Sequence, residues 1–164
     1  MLPDAEQLLE NLSRQLQPFI ADGAALVGIH SGGAWIASRL QKSLGGDLGT
    51  LDISFYRDDF SRIGLHPQTK PSNIPFDVEG RHILLIDDVL YTGRTVRAAM
   101  NELFDYGRPA RITLAVLVDR GERELPIEAQ AVGVRMTLKP GQNLELLRDA
   151  AGHFNLKLHE EISE

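Results

Sequence analysis

The sequence predicts an α/β fold: a mostly parallel central sheet with helices on both faces. Three observations carry this reading. Short apolar runs alternate with segments of helical periodicity along most of the chain. Two of those runs, Ile83-Leu84-Leu85-Ile86 and the stretch from Ile112 to Val118, are almost unbroken, which is how strands read when a parallel sheet buries both their faces. The first of them drives straight into two aspartates and a small-residue turn, the pattern of a strand that delivers polar groups to a sheet edge.

Taken in order, Asp4 with Gln7 three residues on is a variant of the capping box and predicts a helix start. Leu8, Leu9, Leu12, Leu16, Phe19 and Ile20 recur behind it at helical spacing, up to the Ala-Asp-Gly break. Ala25 to Ile29 reads as a short buried strand, ended by His30-Ser31-Gly32-Gly33. A helix from about Ala34 to Leu44 follows, closed by Gly45-Gly46. Alternating apolar positions from Thr50 to Tyr56 predict a strand with one buried face. Residues 57–81 hold three prolines and two glycines among many polar groups, and predict a long flexible loop. A loop of that length in a compact domain is more often functional than idle. Then come the strand Ile83 to Ile86 and a helix from about Thr95 to Tyr106, whose buried stripe is Val96, Ala99, Met100, Leu103 and Phe104. Gly107 and Pro109 end it. Ile112 to Val118 and Ala131 to Val134 are further strands, and a short strand or helix is expected around Leu144 to Leu147.

The 164 residues fit one domain spanning 1–164. No apolar run approaches a membrane span, and the acidic N-terminal stretch lacks the bases of a secretory signal, so a cytoplasmic protein is expected. With no cysteine there is no disulfide framework, thiol nucleophile or cysteine-type zinc site. A formal net charge of -6 argues against a general nucleic-acid binder, whose affinity comes from neutralising phosphates.

The chemistry concentrates in Ile83-Leu84-Leu85-Ile86-Asp87-Asp88-Val89-Leu90-Tyr91-Thr92-Gly93-Arg94-Thr95. The strand carries Asp87 and Asp88 to the edge where α/β proteins bind ligands. Thr92 to Thr95 turn into a helix, whose first N–H groups and dipole favour an anion. Gly93 allows close backbone approach, and both threonines offer hydroxyls. Anion donors thus stand a few residues from carboxylate acceptors, matching the polarity of a sugar phosphate. A strand ending in two acids also occurs in ATPases, but GxxxxGK[ST] is absent; so is GxGxxG. The structural alternative is a strand, an acidic turn and a capped helix with no ligand.

This stretch resembles the phosphoribosyl-pyrophosphate (PRPP) signature of the type I phosphoribosyltransferases. With LDISFYRDDF before it and LVDRGERELPI after, it is similar to one branch, the pyrimidine-operon regulatory proteins that are also uracil phosphoribosyltransferases; the likeness runs from about Leu26 to Gly133 and is faint beyond. The resemblance implies the type I phosphoribosyltransferase fold, with a flexible lid loop at 57–81 and a small hood built from chain-terminal segments. It implies that Asp87 and Asp88 hold the ribose hydroxyls and Thr92 to Thr95 cradle the 5′-phosphate. His30-Ser31-Gly32-Gly33 falls on the pyrophosphate loop, where regulatory members commonly show Lys-Thr-Arg-Gly, so two positive charges are missing here. Tyr56-Arg57-Asp58-Asp59 matches the lead-in to the lid; Arg57 joins Asp87 and Asp88 as a candidate catalytic residue. Asp119 and Arg120, with part of Arg135 to Lys139, fall near the nucleobase, although an Arg120 ion pair serving structure alone accounts for that residue equally well.

The implied reaction converts uracil and PRPP to UMP and pyrophosphate, with Mg2+ held mainly by substrate oxygens rather than by a protein cage, and with regulation of pyrimidine genes as a second duty. The alternative is a UMP-responsive, RNA-binding or nucleotide-sensing regulator with little catalysis. Against it stand the net charge and the scatter of Arg14, Arg39, Lys42, Arg135 and Lys139. An assembly of two or more copies is expected by resemblance.

Overall fold

The computed structural model describes residues 1–53 and 72–161. Among them a helix α1 (Ala5–Ala21) leads into strand β1 (Ala25–Ile29), helix α2 (Gly32–Leu44) and strand β2 (Leu48–Leu51). After the undescribed stretch come β3 (His82–Leu90), α3 (Arg94–Leu103), a 3-10 turn (Phe104–Tyr106), β4 (Arg111–Asp119) and β5 (Ala131–Arg135). The chain closes with β6 (Gln142–Arg148) and β7 (Phe154–Glu160). The five strands β2-β1-β3-β4-β5 form one sheet in that order, and every pair in it is parallel. The expected architecture of a mostly parallel sheet flanked by helices is what the chain adopts.

Strand side chains alternate between faces, and the two cores divide accordingly. Leu26, Leu84, Ile86 and Leu117 point to one face, where α1, α2 and the β6–β7 hairpin cover them. Val27, Ile83, Leu85 and Val116 point to the other, under Val96, Ala99 and Leu103 of α3. Helix α1 starts where the capping pattern places it: Asp4 Oδ1 accepts the Glu6 amide at 2.9 Å and the Gln7 amide at 3.4 Å.

Several elements differ from the sequence reading. Strand β3 runs on to Leu90 rather than stopping at Ile86, because β4 continues beside it as far as the Leu90–Asp119 pair. Strand β1 pairs with β3 only up to Gly28–Ile86. Asp87 and Asp88 therefore lie inside a strand whose β1 side has just opened. Strand β2 begins and ends earlier than expected, at Leu48 and Leu51; Tyr56, Arg57, Asp58 and Asp59 lie outside the described residues. The far end of the expected 57–81 loop is fastened: Asn73 exchanges two backbone hydrogen bonds of 2.8 Å with Thr50, and Val78 is fully buried. The tail, expected as one short element, is an antiparallel hairpin with Leu146 and Phe154 packed into the core. Among the described residues no helix is long and apolar enough to cross a membrane.

Candidate active site

The strand order reverses direction between β1 and β3: the chain steps from β1 outward to β2, then returns to β3 on the other side. In such sheets the crevice beyond the carboxyl ends of those two strands is where ligands bind. The structure brings two of the predicted groups to this crevice, His30-Ser31-Gly32-Gly33 from β1 and Asp87-Asp88 from β3.

Their contact is close. A Cβ on Gly32 would lie 2.3 Å from Asp88 Oδ2, and one on Gly33 would lie 2.3 Å from the Ile86 carbonyl and 2.9 Å from Asp87 Cα. Only glycine lets the α2 start approach the acid-bearing strand this way. Helix α2 begins at Gly32, two residues earlier than the periodicity suggests, and the Trp35 amide donates to the Ser31 carbonyl at 3.1 Å. The loop's backbone N–H groups thus belong to a helix's first turn, which lacks intrahelical acceptors. The His30–Ser31 peptide is cis.

Asp87 is buried and Asp88 half-buried. Each is fixed by its neighbour's amide: Asp87 Oδ1 accepts from Asp88 N–H at 2.9 Å, and Asp88 Oδ1 from Val89 N–H at 2.8 Å. Beyond them Gly93 turns the chain at φ +96°, where a side chain would also press on Ile127 at 3.0 Å. It is the residue on which α3 begins, and the Arg97 amide donates to its carbonyl at 3.0 Å. Thr92 Oγ1 accepts the Arg94 amide at 3.2 Å, while Arg94 Nε pairs with Glu124 at 2.8 Å, so that side chain is turned to a carboxylate. A cavity of about 80 Å³ lies in this turn, lined by Asp87, Thr92, Gly93 and Thr95 among others.

A second cavity of about 370 Å³ lies at the ends of β4 and β5, lined by Asp119, Arg120, Arg123, Arg135, Met136 and Thr137 among others. Burial pushes the Asp119 carboxyl up, but the Arg123 guanidinium, the Gly121 amide and the charge of Arg135 together hold it below the usual carboxylate range. Arg123 Nη2 donates to Asp119 Oδ2 at 2.6 Å. Of the two predicted nucleobase residues, Asp119 lines this cavity as a fixed anion. Arg120 lines it too, yet it is 7% exposed and its guanidinium carbon lies 3.9 Å from the Tyr91 ring centre. Arg123 escaped the sequence reading; its signal was its place in Arg120-Gly121-Glu122-Arg123, four residues after Asp119. Of the scattered bases, Arg39 is held by Glu6 at 2.6 Å, Arg14 lies 3.9 Å from Glu10, and Arg135 lies 3.9 Å from Asp119.

The phosphoribosyl transferase domain model matches residues 2–142 of this chain. The chain belongs to the phosphoribosyl transferase family. Within that family it falls on the branch called bifunctional protein PyrR. The protein of that name from Nitrosococcus oceani is 53% identical over 149 residues, covering 86% of this chain and 84% of that one. The one from Pseudomonas paraeruginosa is 50% identical over 155 residues, covering 91% of each. Coverage of 91% takes in β6, so the likeness reaches past Gly133, where the sequence reading let it fade. Among solved structures, a purine phosphoribosyltransferase from Pyrococcus horikoshii superposes with a TM-score of 0.61 at 21% identity, over 81% of this chain and 82% of that one. A hypoxanthine phosphoribosyl transferase from Trypanosoma cruzi gives 0.64 at 19% identity, over 84% and 78%. At such identities the likeness is one of phosphoribosyl transferase fold.

Proposed function

We propose that this phosphoribosyl transferase converts uracil and PRPP to UMP and pyrophosphate. The observation that carries the reading is an acid pair, one member buried and the other half-buried, with a glycine-built helix start packed against it and a helix turn bearing threonine hydroxyls sharing a cavity with Asp87. Asp87 and Asp88 accept hydrogen bonds from the ribose hydroxyls and fix the sugar. Thr92, Gly93 and Thr95 take the 5′-phosphate at the start of α3, where aligned peptide dipoles favour an anion. The first-turn amides of α2 at Gly32 and Gly33 receive the pyrophosphate, backbone donors standing where relatives in the resemblance carry cations.

Departure of pyrophosphate leaves positive charge on the ribose ring, and the carboxylates of Asp87 and Asp88 stand beside it. The fold's contribution is to hold base and ribose in line and so remove much of the entropic barrier. A Mg2+ ion would be held mainly by substrate oxygens and water, consistent with the lack of any cluster of three or more candidate metal ligands among the described residues. When bound, that ion neutralises charge on the leaving pyrophosphate. The cavity at Asp119 and Arg135 takes the nucleobase: uracil presents an N–H between two carbonyls, and the cavity offers a fixed carboxylate beside arginine donors. The β6–β7 hairpin, as the hood, helps to exclude water.

Incubation with PRPP and Mg2+ and either uracil or hypoxanthine tests this. The reading predicts UMP from uracil with a kcat/KM at least about a hundredfold above that for IMP formation, the scale of a buried polar mismatch. Equal use of both bases, or IMP alone, contradicts it. The relatives' printed name, bifunctional protein, supports a second duty for a cytoplasmic assembly of this chain, nucleotide-dependent control of pyrimidine genes. Binding of a pyrimidine-operon leader RNA that strengthens with UMP is its expected sign.

A further inference from the structure

We infer that Arg120 and Arg123 are positioning residues that clamp Tyr91 from two sides and so hold the phosphate turn Thr92–Thr95 in its binding geometry. The inference rests on the phosphate site proposed for that turn and assigns the segment 120–127 a task other than contact with the base.

Arg123 uses all three nitrogens of its guanidinium. Nη1 donates to the Tyr91 carbonyl at 3.0 Å, Nη2 to Asp119 Oδ2 at 2.6 Å, and Nε to the Ile127 carbonyl at 2.8 Å. Arg120 takes the other side of the same residue. Its guanidinium lies over the Tyr91 ring at 3.9 Å, while Nη1 reaches Asn143 on β6 at 3.1 Å and Nη2 reaches Glu122 at 3.3 Å. Tyr91 is 42% exposed, and an aromatic ring on a loop at that exposure ordinarily samples several rotamers. A planar cation on its face removes that freedom.

Tyr91 is the first residue of the passage from β3 to α3, so holding it also holds the turn on its C-terminal side. The Thr92 carbonyl accepts the Glu124 amide at 2.9 Å and the Leu125 amide at 3.1 Å. Gly93 packs on Ile127, and Arg94 pairs with Glu124. The 120–127 segment therefore grips three successive residues of the turn. The grip is referenced to the sheet, because Asp119 ends β4 opposite Leu90 and the Arg120 amide donates to the Leu90 carbonyl at 3.0 Å. Lysine supplies neither the three fixed donors of Arg123 nor the flat face of Arg120. The Asn143 contact also joins the C-terminal hairpin to the turn.

Calorimetric binding of ribose 5-phosphate, a ligand with the phosphate and hydroxyls but no base, separates positioning from base recognition. Arg123→Met is expected to weaken ribose 5-phosphate by about tenfold, the equivalent of one lost charged hydrogen bond. Arg123→Lys restores only part of it, and Tyr91→Ala, which keeps the carbonyl and loses the ring, gives an intermediate loss. In turnover by Tyr91→Ala, whose side chain is not part of the base cavity's lining, the KM for PRPP rises while that for uracil stays within about twofold. Should Arg123→Met fail to unfold cooperatively, Arg123→Lys and Tyr91→Ala carry the comparison. Unchanged ribose 5-phosphate affinity in the variants overturns the clamp. A rise confined to the KM for uracil in Tyr91→Ala does the same, because it assigns the contact to the base rather than to the phosphate turn. No binding of ribose 5-phosphate by the unaltered chain overturns the phosphate-site reading and the clamp with it.

Discussion

Asp87 stands one position beyond the last register pair that joins β3 to β1, and Gly33 presses on the peptide just before it. A methyl group at 33 meets backbone atoms that cannot swing aside, so either α2 or β3 has to shift. Gly33→Ala is therefore expected to destabilise the chain by about 1–3 kcal/mol, the usual cost of overpacking, and to reduce turnover beyond that loss. Thermal unfolding beside an activity assay checks both; unchanged stability would mean the crevice is looser than its geometry. At this scale the sequence was informative where chemistry is local. The acid pair, the glycine pair and the Thr-Gly turn are contiguous motifs; the turn leads into a helix as read, while the acid pair lies within β3 and the glycine pair within the first turn of α2. Arg123 was only partly legible: Asp119 stands four residues before it, but Tyr91 comes from another strand end and meets it only in the folded chain.

The β6–β7 hairpin is the element the sequence showed least well. Two strands alone are marginal in water, and this pair holds because Leu146 and Phe154 enter the core of α1 and α2. That packing leaves only a broken alternation in the sequence, Leu144 and Leu146 followed by Leu147 on the exposed side. A polar joint secures the same element. Glu6 on α1 grips Arg39 of α2 with both carboxylate oxygens, at 2.6 and 3.1 Å, and accepts the Phe154 amide at 2.8 Å. Arg39 also donates to the Gly152 carbonyl at 3.0 Å. The Arg39 hydrogen bond, partly opposed by burial, holds the Glu6 carboxyl below its ordinary value of 4.5. A depressed carboxylate stabilises the fold above that unfolded value, and the contribution disappears as pH falls through the lower folded pKa. Glu6→Gln should cost about 1 kcal/mol near neutrality and flatten the acid limb of the stability curve. Denaturant titrations across that pH range measure it, and an unchanged acid limb would place the hairpin's attachment in its apolar contacts alone.

Over the whole molecule, strand order decides where chemistry can happen. The sequence supplied the class of fold through its unbroken apolar runs, and the run of acids after one of them marked the productive edge. It could not supply the order β2-β1-β3-β4-β5, which depends on which face each connection crosses, nor the continuation of β3 to Leu90 past the end of β1, which opens the crevice. Those two facts turn separate motifs into one site with the acid pair at its centre, where the proposed function seats the sugar. The most direct test of that claim is the rate of uracil-dependent pyrophosphate release from PRPP with Mg2+, in the unaltered chain and in Asp87→Asn. The account predicts release only when uracil is present, reduced at least about a hundredfold in the variant while cooperative unfolding is retained, as for loss of a preorganised polar contact in the transition state. Release at an undiminished rate from Asp87→Asn would contradict it and move the chemistry away from the β1–β3 crevice.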